Sequence, residues 1–259
     1  MKKWSGLHKP FYLQAGIKEY LKERNVLKKI AIITARGGSK RIPRKNIKDF
    51  FGKPIIAYSI LAALQSKLFD EVMVSTDDEE IKNIAIEYGA TVPFMRSEKN
   101  SDDHSGTAEV LLEVLETYAQ SGKTFDYACC IYPTAPLLKV KTLQKAFELL
   151  KSKNLDSVFP VLRFGFPIQR ALKMDPESLV TMFQPENRTK RSQDLEPAFH
   201  DAGQFYFLNV PVFFEAKALW SSKSAGIELN EMEAQDIDNL ADWEIAEFKF
   251  NYQNQQKNQ

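Results

Sequence analysis

The sequence predicts an α/β fold with a mostly parallel central sheet flanked by helices. Three observations predict it. Short apolar runs of strand length alternate with longer windows of helical periodicity. The apolar runs end abruptly in polar, Gly- or Pro-rich clusters. The chain has 259 residues, 44% hydrophobic and 27% charged, which suits one large domain or one domain with a smaller lobe and excludes a disordered or collagen-like chain.

The elements follow in order. Residues 1–28 stand apart: Ile17 to Lys29 fits a short basic amphipathic helix, and the stretch reads as a surface extension without chemistry or a start upstream of the domain. KKIAIITA is a strand that stops at Gly37-Gly38. Pro54 to Lys67 is a helix with Pro in its first turn. EVMVST is a second strand, after which Asp77 and Asp78 supply N-cap chemistry for a helix through Tyr88, closed by Gly89. A short strand is expected at Thr91–Met95, then a helix over Gly106–Gln120 with Val110, Leu111, Val114, Leu115 and Tyr118 on its apolar face. YACCIYPT is a buried strand stopped by prolines, and Val140–Lys153 is a helix. SVFPVLR, FYFLNV and GIEL read as later strands, and Ala241–Phe250 as a closing helix. Residues 29–259 form the main domain. Residues 164–200, rich in Pro, Gln, Arg and Lys, break the rhythm and read as an inserted lobe or oligomer arm.

Charge and cysteine usage narrow the function classes. The formal net charge of +1 argues against a general nucleic-acid binder. No apolar run is long enough to cross a bilayer, and MKKWSGLHKPFYLQAG lacks the apolar core of a secretory signal. Cys129 and Cys130 are adjacent and make neither a disulfide framework nor a zinc cluster, so a reducing cytoplasm is the expected location.

The polar clusters ARGGSK, STDD and PTAP each follow a strand, so the fold should bring them to one crevice at the carboxyl ends of the sheet. From Arg36 to Lys48, six of thirteen residues are Lys or Arg and none is acidic. Gly37 and Gly38 allow close backbone approach with N–H groups aimed at a ligand, Ser39 adds a hydroxyl, and Arg36, Arg44 and Lys45 can neutralise phosphate oxygens. The spacing is neither a Walker loop nor G-x-G-x-x-G. A solvated basic loop or an RNA contact is the alternative, although RNA binding favours interleaved aromatics and the stretch has none. Asp236-Ile237-Asp238 puts two hard oxygen donors on one side of an extended segment, suited to Mg²⁺ with phosphate oxygens and water, or else to plain helix-cap acids before Ala241. Tyr132-Pro133-Thr134-Ala135-Pro136 fixes a strand exit with Tyr132 and Thr134 at its rim. His200 and Asp201 are sequence neighbours that should point apart. The missing G-x-S-x-G and the three scattered histidines argue against a serine hydrolase and zinc catalysis.

ARGGSKRIPRKN, GKPIIAYSI, VSTDD, YPTAP and DIDNLADWEIAE together resemble the cytidylyltransferases that activate nonulosonic acids as CMP-sugars, over roughly Lys29 to Phe250. The resemblance implies a Rossmann-like nucleotide-sugar transferase fold, CTP as nucleotide, Mg²⁺ as cofactor and a homodimer formed through the lobe. By its motif positions, Arg36, Gly37, Gly38, Ser39 and Lys45 would hold the phosphates, Asn46 would lie near the ribose, and Arg96 would read cytosine. Asp236 and Asp238 would bind the metal, with Arg36 and Lys45 sharing the catalytic charge. Tyr132, Arg170 and Gln204 become sugar-side candidates, and Arg191 a residue that reaches the neighbouring subunit's site. YPTAP with FHDAGQFY points to pseudaminate as the sugar, because family members acting on sialic acid generally carry Gln where Tyr132 stands. The same reaction on legionaminate or N-acetylneuraminate is the alternative, and a non-catalytic nucleotide-binding protein a further one. Thr34 departs from the Pro usual before Ala-Arg. In the family, activated pseudaminate feeds bacterial surface or flagellar glycosylation.

Overall fold

The computed structural model describes residues 27–102 and 105–257, so most of the Ile17–Lys29 helix expectation and the extension before Leu27 lie outside the described residues. The strands are β1 (Lys29–Thr34), β2 (Asp49–Phe50), β3 (Lys53–Pro54), β4 (Glu71–Ser75), β5 (Tyr127–Ile131), β6 (Ser157–Arg163), β7 (Leu172–Met174), β8 (Val180–Met182), β9 (Phe199–Asp201), β10 (Phe205–Asn209) and β11 (Ser224–Leu229). The helices are α1 (Ile55–Ser66), α2 (Glu79–Glu87), α3 (Thr107–Gln120), α4 (Val140–Ser152), α5 (Val210–Ala216) and α6 (Leu240–Lys257).

The main sheet runs in the order β11-β6-β10-β5-β1-β4, with β9 also paired to β6. The pairs β1–β4, β1–β5 and β6–β11 are parallel. β10 is antiparallel to both β5 and β6, and β9 to β6. Five strands therefore point one way and two the other: the sheet is mixed with mostly parallel strands. β9 and β10 lie along the same edge of β6 and are separated by a break at Ala202–Gln204, where Gly203 has φ 64°.

Alternation along the strands fills both faces of the sheet. Ala31, Ile33 and Cys129 face the layer holding α1, α2 and α4. Ile30, Ile32 and Cys130 face α3 and α5. The two cysteines are thus fully buried on opposite faces; burial raises both thiols, Cys130 to about 12, so they behave as small hydrophobes. A third cluster joins Ile42 of the basic loop to Phe50, Ile55, Ile237, Trp243 and Ala246.

Most sequence expectations match the elements, with three corrections. Thr91–Met95 is not a strand: Thr91 makes one bridge to Met73, and Pro93 lacks the N–H needed to extend it. FYFLNV stops at Asn209, whose side chain accepts from the Val212 N–H and starts α5 with Pro211 in its first turn. The last helix runs on past Phe250 to Lys257. The segment over residues 164–200 carries the β7–β8 hairpin, which is antiparallel and pairs with no strand of the main sheet. No helix among the described residues is long and apolar enough to cross a membrane.

Candidate active site

The carboxyl ends of β1 and β5 open into a cavity of about 400 Å³. Arg36, Ser39, Lys45 and Asn46 line one side, from the loop after β1. Tyr132, Pro133 and Thr134 line another, from the exit of β5, and Asp236 and Asp238 close it. Three segments that are far apart in the chain thus meet, as expected for ligand sites at strand ends.

The local sequence explains the D-x-D geometry. Ile237 is fully buried against Ile42 and Trp243, which leaves its two neighbours on the opposite, cavity side. Lys45 Nζ donates to the Ile237 carbonyl, tying the basic loop to this segment. Burial lowers the Lys45 pKa, while the Asp238 and Asp236 carboxylates oppose that shift. Asp236 keeps a solvent-exposed edge, yet the protein packed around its carboxyl, and then the charge of Asp238, raise its pKa. The backbone of Gly203 presses on it: a Cβ there would lie 3.1 Å from the Asp236 Cβ. Arg41 Nη2 donates to Asp238 Oδ1 at 2.7 Å. Two carboxylates facing one cavity fit a divalent cation that takes its remaining ligands from phosphate and water. No group of three or more His, Cys, Asp or Glu side chains able to hold a metal occurs among the described residues.

The basic loop is shaped by its own polar groups. Asn46 Nδ2 donates to the Arg36 carbonyl at 2.8 Å, and Arg36 Nη1 donates to the Asp102 carbonyl at 2.7 Å. Two expectations change. The Gly37 N–H is given to Asp77 Oδ1 at 2.9 Å, so it is not aimed at a ligand. Arg44 donates to both Asp78 oxygens, at 2.5 and 3.0 Å, and to Glu80, so its charge is spent on carboxylates and not on the cavity. Tyr132 is held by its backbone: its N–H donates to the Gln204 carbonyl at 2.8 Å, and its carbonyl accepts from Ser59 Oγ. Burial raises its phenol pKa.

Other candidates lie away from this cavity wall. Gln204 is buried with Nε2 on the Glu233 carbonyl. Arg96 is buried at the end of β4, with Nε on Ser75 Oγ at 3.0 Å and Nη2 on the Ser75 carbonyl. Gly37 and Gly38 are not lining residues either. Arg170 and Arg191 are exposed in the segment over residues 164–200, donating to Ser192 Oγ and Asp194 respectively. His200 and Asp201 make no acid–base pair: His200 Nδ1 bonds the Asp201 carbonyl, and Asp201 Oδ1 accepts from the Gly203 N–H. Sequence reasoning missed Arg41 and Thr107 as lining residues. Arg41 carried a signal, its place in the basic run. Thr107 carried only a helix start.

Comparisons with known proteins agree in kind. A cytidylyltransferase family model matches residues 30–257. A pseudaminic acid cytidylyltransferase of Campylobacter jejuni is 42% identical over 88% of this chain and 99% of its own. A CMP-N,N'-diacetyllegionaminic acid synthase of Legionella pneumophila is 34% identical over 84% of this chain and 94% of its own. Among solved structures, a CMP:2-keto-3-deoxy-manno-octonic acid synthetase complexed with CTP superposes with a TM-score of 0.63 at 15% identity, over 87% of this chain and 99% of its own, a likeness of fold.

Proposed function

The chain belongs to the cytidylyltransferase family, and on that premise we propose that it converts CTP and pseudaminate into CMP-pseudaminate and pyrophosphate. The observation that carries the reading is the shared cavity: a basic loop and a pair of carboxylates line one space suited to a polyphosphate.

In this reading the anomeric hydroxyl of the sugar attacks the α-phosphorus in line and pyrophosphate leaves. Such transfer depends on positioning and on neutralising charge. Arg36, Ser39 and Lys45 bind the phosphates, and Arg36 and Lys45 stabilise the charge that builds on the leaving group. Gly37 and Gly38 set the loop's backbone path, and Asn46 supports that loop beside the ribose. Asp236 and Asp238 hold a divalent cation, Mg²⁺ in this proposal, which when bound neutralises phosphate oxygens. Arg96 serves the cytosine side from its place at the end of β4. Tyr132 orients the sugar from the β5 exit, and Gln204 acts through it by accepting the Tyr132 N–H at its carbonyl. Arg170 and Arg191 belong to the lobe over residues 164–200, which we assign to a homodimer contact. Leu172, Met174, Leu179, Val180 and Phe183 are all exposed there, an apolar surface suited to a second copy. The reaction is placed in the cytoplasm, without a nucleic-acid or membrane partner.

The test is pyrophosphate release from CTP and Mg²⁺ with pseudaminate, legionaminate and N-acetylneuraminate in parallel. Release with pseudaminate alone is expected. Release with another sugar alone keeps the chemistry and overturns the sugar. No release with any of the three, from folded protein that binds CTP, overturns the pseudaminate reading and moves it to another acceptor sugar or to a binding-only protein.

A further inference from the structure

We propose that Asp78 is a positioning residue for the nucleotide half of the reaction: with Arg44 and Asp77 it forms a clamp that fixes the basic loop over residues 36–46. The inference rests on the cytidylyl-transfer reading and assigns a task to the STDD cluster after β4.

The clamp has four parts. Arg44 grips Asp78 through both guanidinium ends, at 2.5 and 3.0 Å, the two-pronged geometry that a planar guanidinium gives and an ammonium does not. Asp78 is fixed from the other side, because its Oδ1 also caps α2 by accepting from the Glu80 and Ile81 N–H groups, each at 3.0 Å. Asp77 accepts the Gly37 N–H at 2.9 Å. The Gly37 backbone lies against Asp78 so closely that a Cβ would fall 2.7 Å from its Oδ2. The loop therefore meets one rigid pair of carboxylates at both its start and its end.

Backbone geometry gives the clamp something to hold. Arg44 has φ 56° and ψ 28°, a left-handed conformation that non-glycine residues avoid. That conformation lets the chain turn from the loop into the short 3-10 helix Lys45–Ile47, which delivers Lys45 to the Ile237 carbonyl and Asn46 to the Arg36 carbonyl. Releasing Arg44 from Asp78 frees the turn to relax. Lys45, Asn46 and Arg36 then lose their common frame. Arg44, for all its charge, acts on the phosphates only through this frame.

Asp78→Asn tests it, because Asn preserves side-chain shape and helix capping while removing the carboxylate that takes both prongs of Arg44 and leaving only the single contact to exposed Glu80. The expected result is roughly tenfold weaker CTP binding by calorimetry and a matching rise in the KM for CTP, with the KM for the sugar within about twofold of wild type. Trypsin should cut Asp78→Asn faster after Lys40 or Arg41 without any nucleotide. Arg44→Met should behave like Asp78→Asn, and the double variant no worse than either. CTP affinity within twofold of wild type in Asp78→Asn overturns the proposal. So does an Arg44→Met loss that adds fully to it, since Arg44 would then act on the phosphates in its own right. If wild-type protein binds no CTP, the cytidylyl reading fails; the tryptic comparison, which needs no nucleotide, still decides the clamp, with unchanged cleavage overturning it.

Discussion

Arg41 Nη2 lies 2.7 Å from Asp238 Oδ1, so a guanidinium sits on one of the two carboxylates assigned to the metal. A divalent cation that uses this oxygen competes with Arg41 for it. The pair is open to solvent, with side-chain exposures of 67% and 46%, which limits its worth to about 0.2–1 kcal/mol. Arg41→Ala should therefore tighten binding of Mn²⁺ to the nucleotide-free protein by about 1.4- to fivefold. Titration followed by the electron spin resonance of free Mn²⁺ measures this. Equal or weaker Mn²⁺ binding in the variant would show that Arg41 does not oppose the cation.

The two aspartates carry a sharper expectation. Asp236→Ala and Asp238→Ala should each lower kcat by at least about 100-fold, some 2.7 kcal/mol in the barrier. Neither should lower the melting temperature much, since Ile237 supplies the packing of this segment and Asp238 is partly exposed. Near-normal turnover in both variants removes the metal assignment.

Adjacent glycines should respond in opposite ways. A Cβ on Gly37 would meet Asp78 Oδ2 at 2.7 Å and Cβ at 3.0 Å, and the grip of Arg44 prevents Asp78 from yielding cheaply. Gly37→Ala should cost about 1–3 kcal/mol of stability. A Cβ on Gly38 meets nothing within 4 Å, so Gly38→Ala should stay within about 0.5 kcal/mol of wild type. Denaturant melts of the two variants check the contrast, and equal losses would refute it.

Acid should weaken the clamp. The hydrogen bond from Arg44 holds the Asp78 carboxyl below its ordinary value of 3.8 in the folded protein, against the opposing effect of burial. A depressed folded-state pKa adds stability in full above the unfolded value. That stability is lost as pH falls from about 3.8 through the folded value. The stability gap between wild type and Asp78→Asn should therefore be widest near neutrality and shrink on acidification. A gap that is constant with pH would mean that the Asp78 charge contributes nothing.

The lobe assignment predicts a dimer that a charge can split. Val180 is exposed on β8, in the apolar patch. Val180→Asp should shift sedimentation toward the monomer while leaving the melting temperature of the main domain unchanged. A monomeric wild-type protein, or an unaffected dimer in the variant, would separate the hairpin from assembly.

The legible parts of this protein were those written in local chemistry. Continuous apolar runs in KIAIIT, EVMVS and YACCI dictate strands buried on both faces, whatever their neighbours. Asp78 and Gly89 mark the ends of α2 by capping and by positive φ, both properties of single residues. The sheet order put the basic loop and the YPTAP exit at adjoining strand ends, which alternation and crossover rules anticipate.

Tertiary structure decided which charges remain for chemistry. Arg36, Arg41, Arg44 and Lys45 look equivalent in the sequence, yet Arg44 is spent on Asp78 and Glu80, Arg41 on Asp238, and Lys45 reaches the backbone between the two metal-assigned aspartates. Asp77 and Asp78 are about 40 residues from Gly37, the glycine they press against. The reversed strand β10 and the break before it, which bring Gly203 against Asp236, depend on pairing with β6. Sequence periodicity records whether a residue is buried, because burial repeats along an element. It does not record which distant partner a charge will find, because ion pairs and hydrogen bonds form between chain segments only once the sheet has closed.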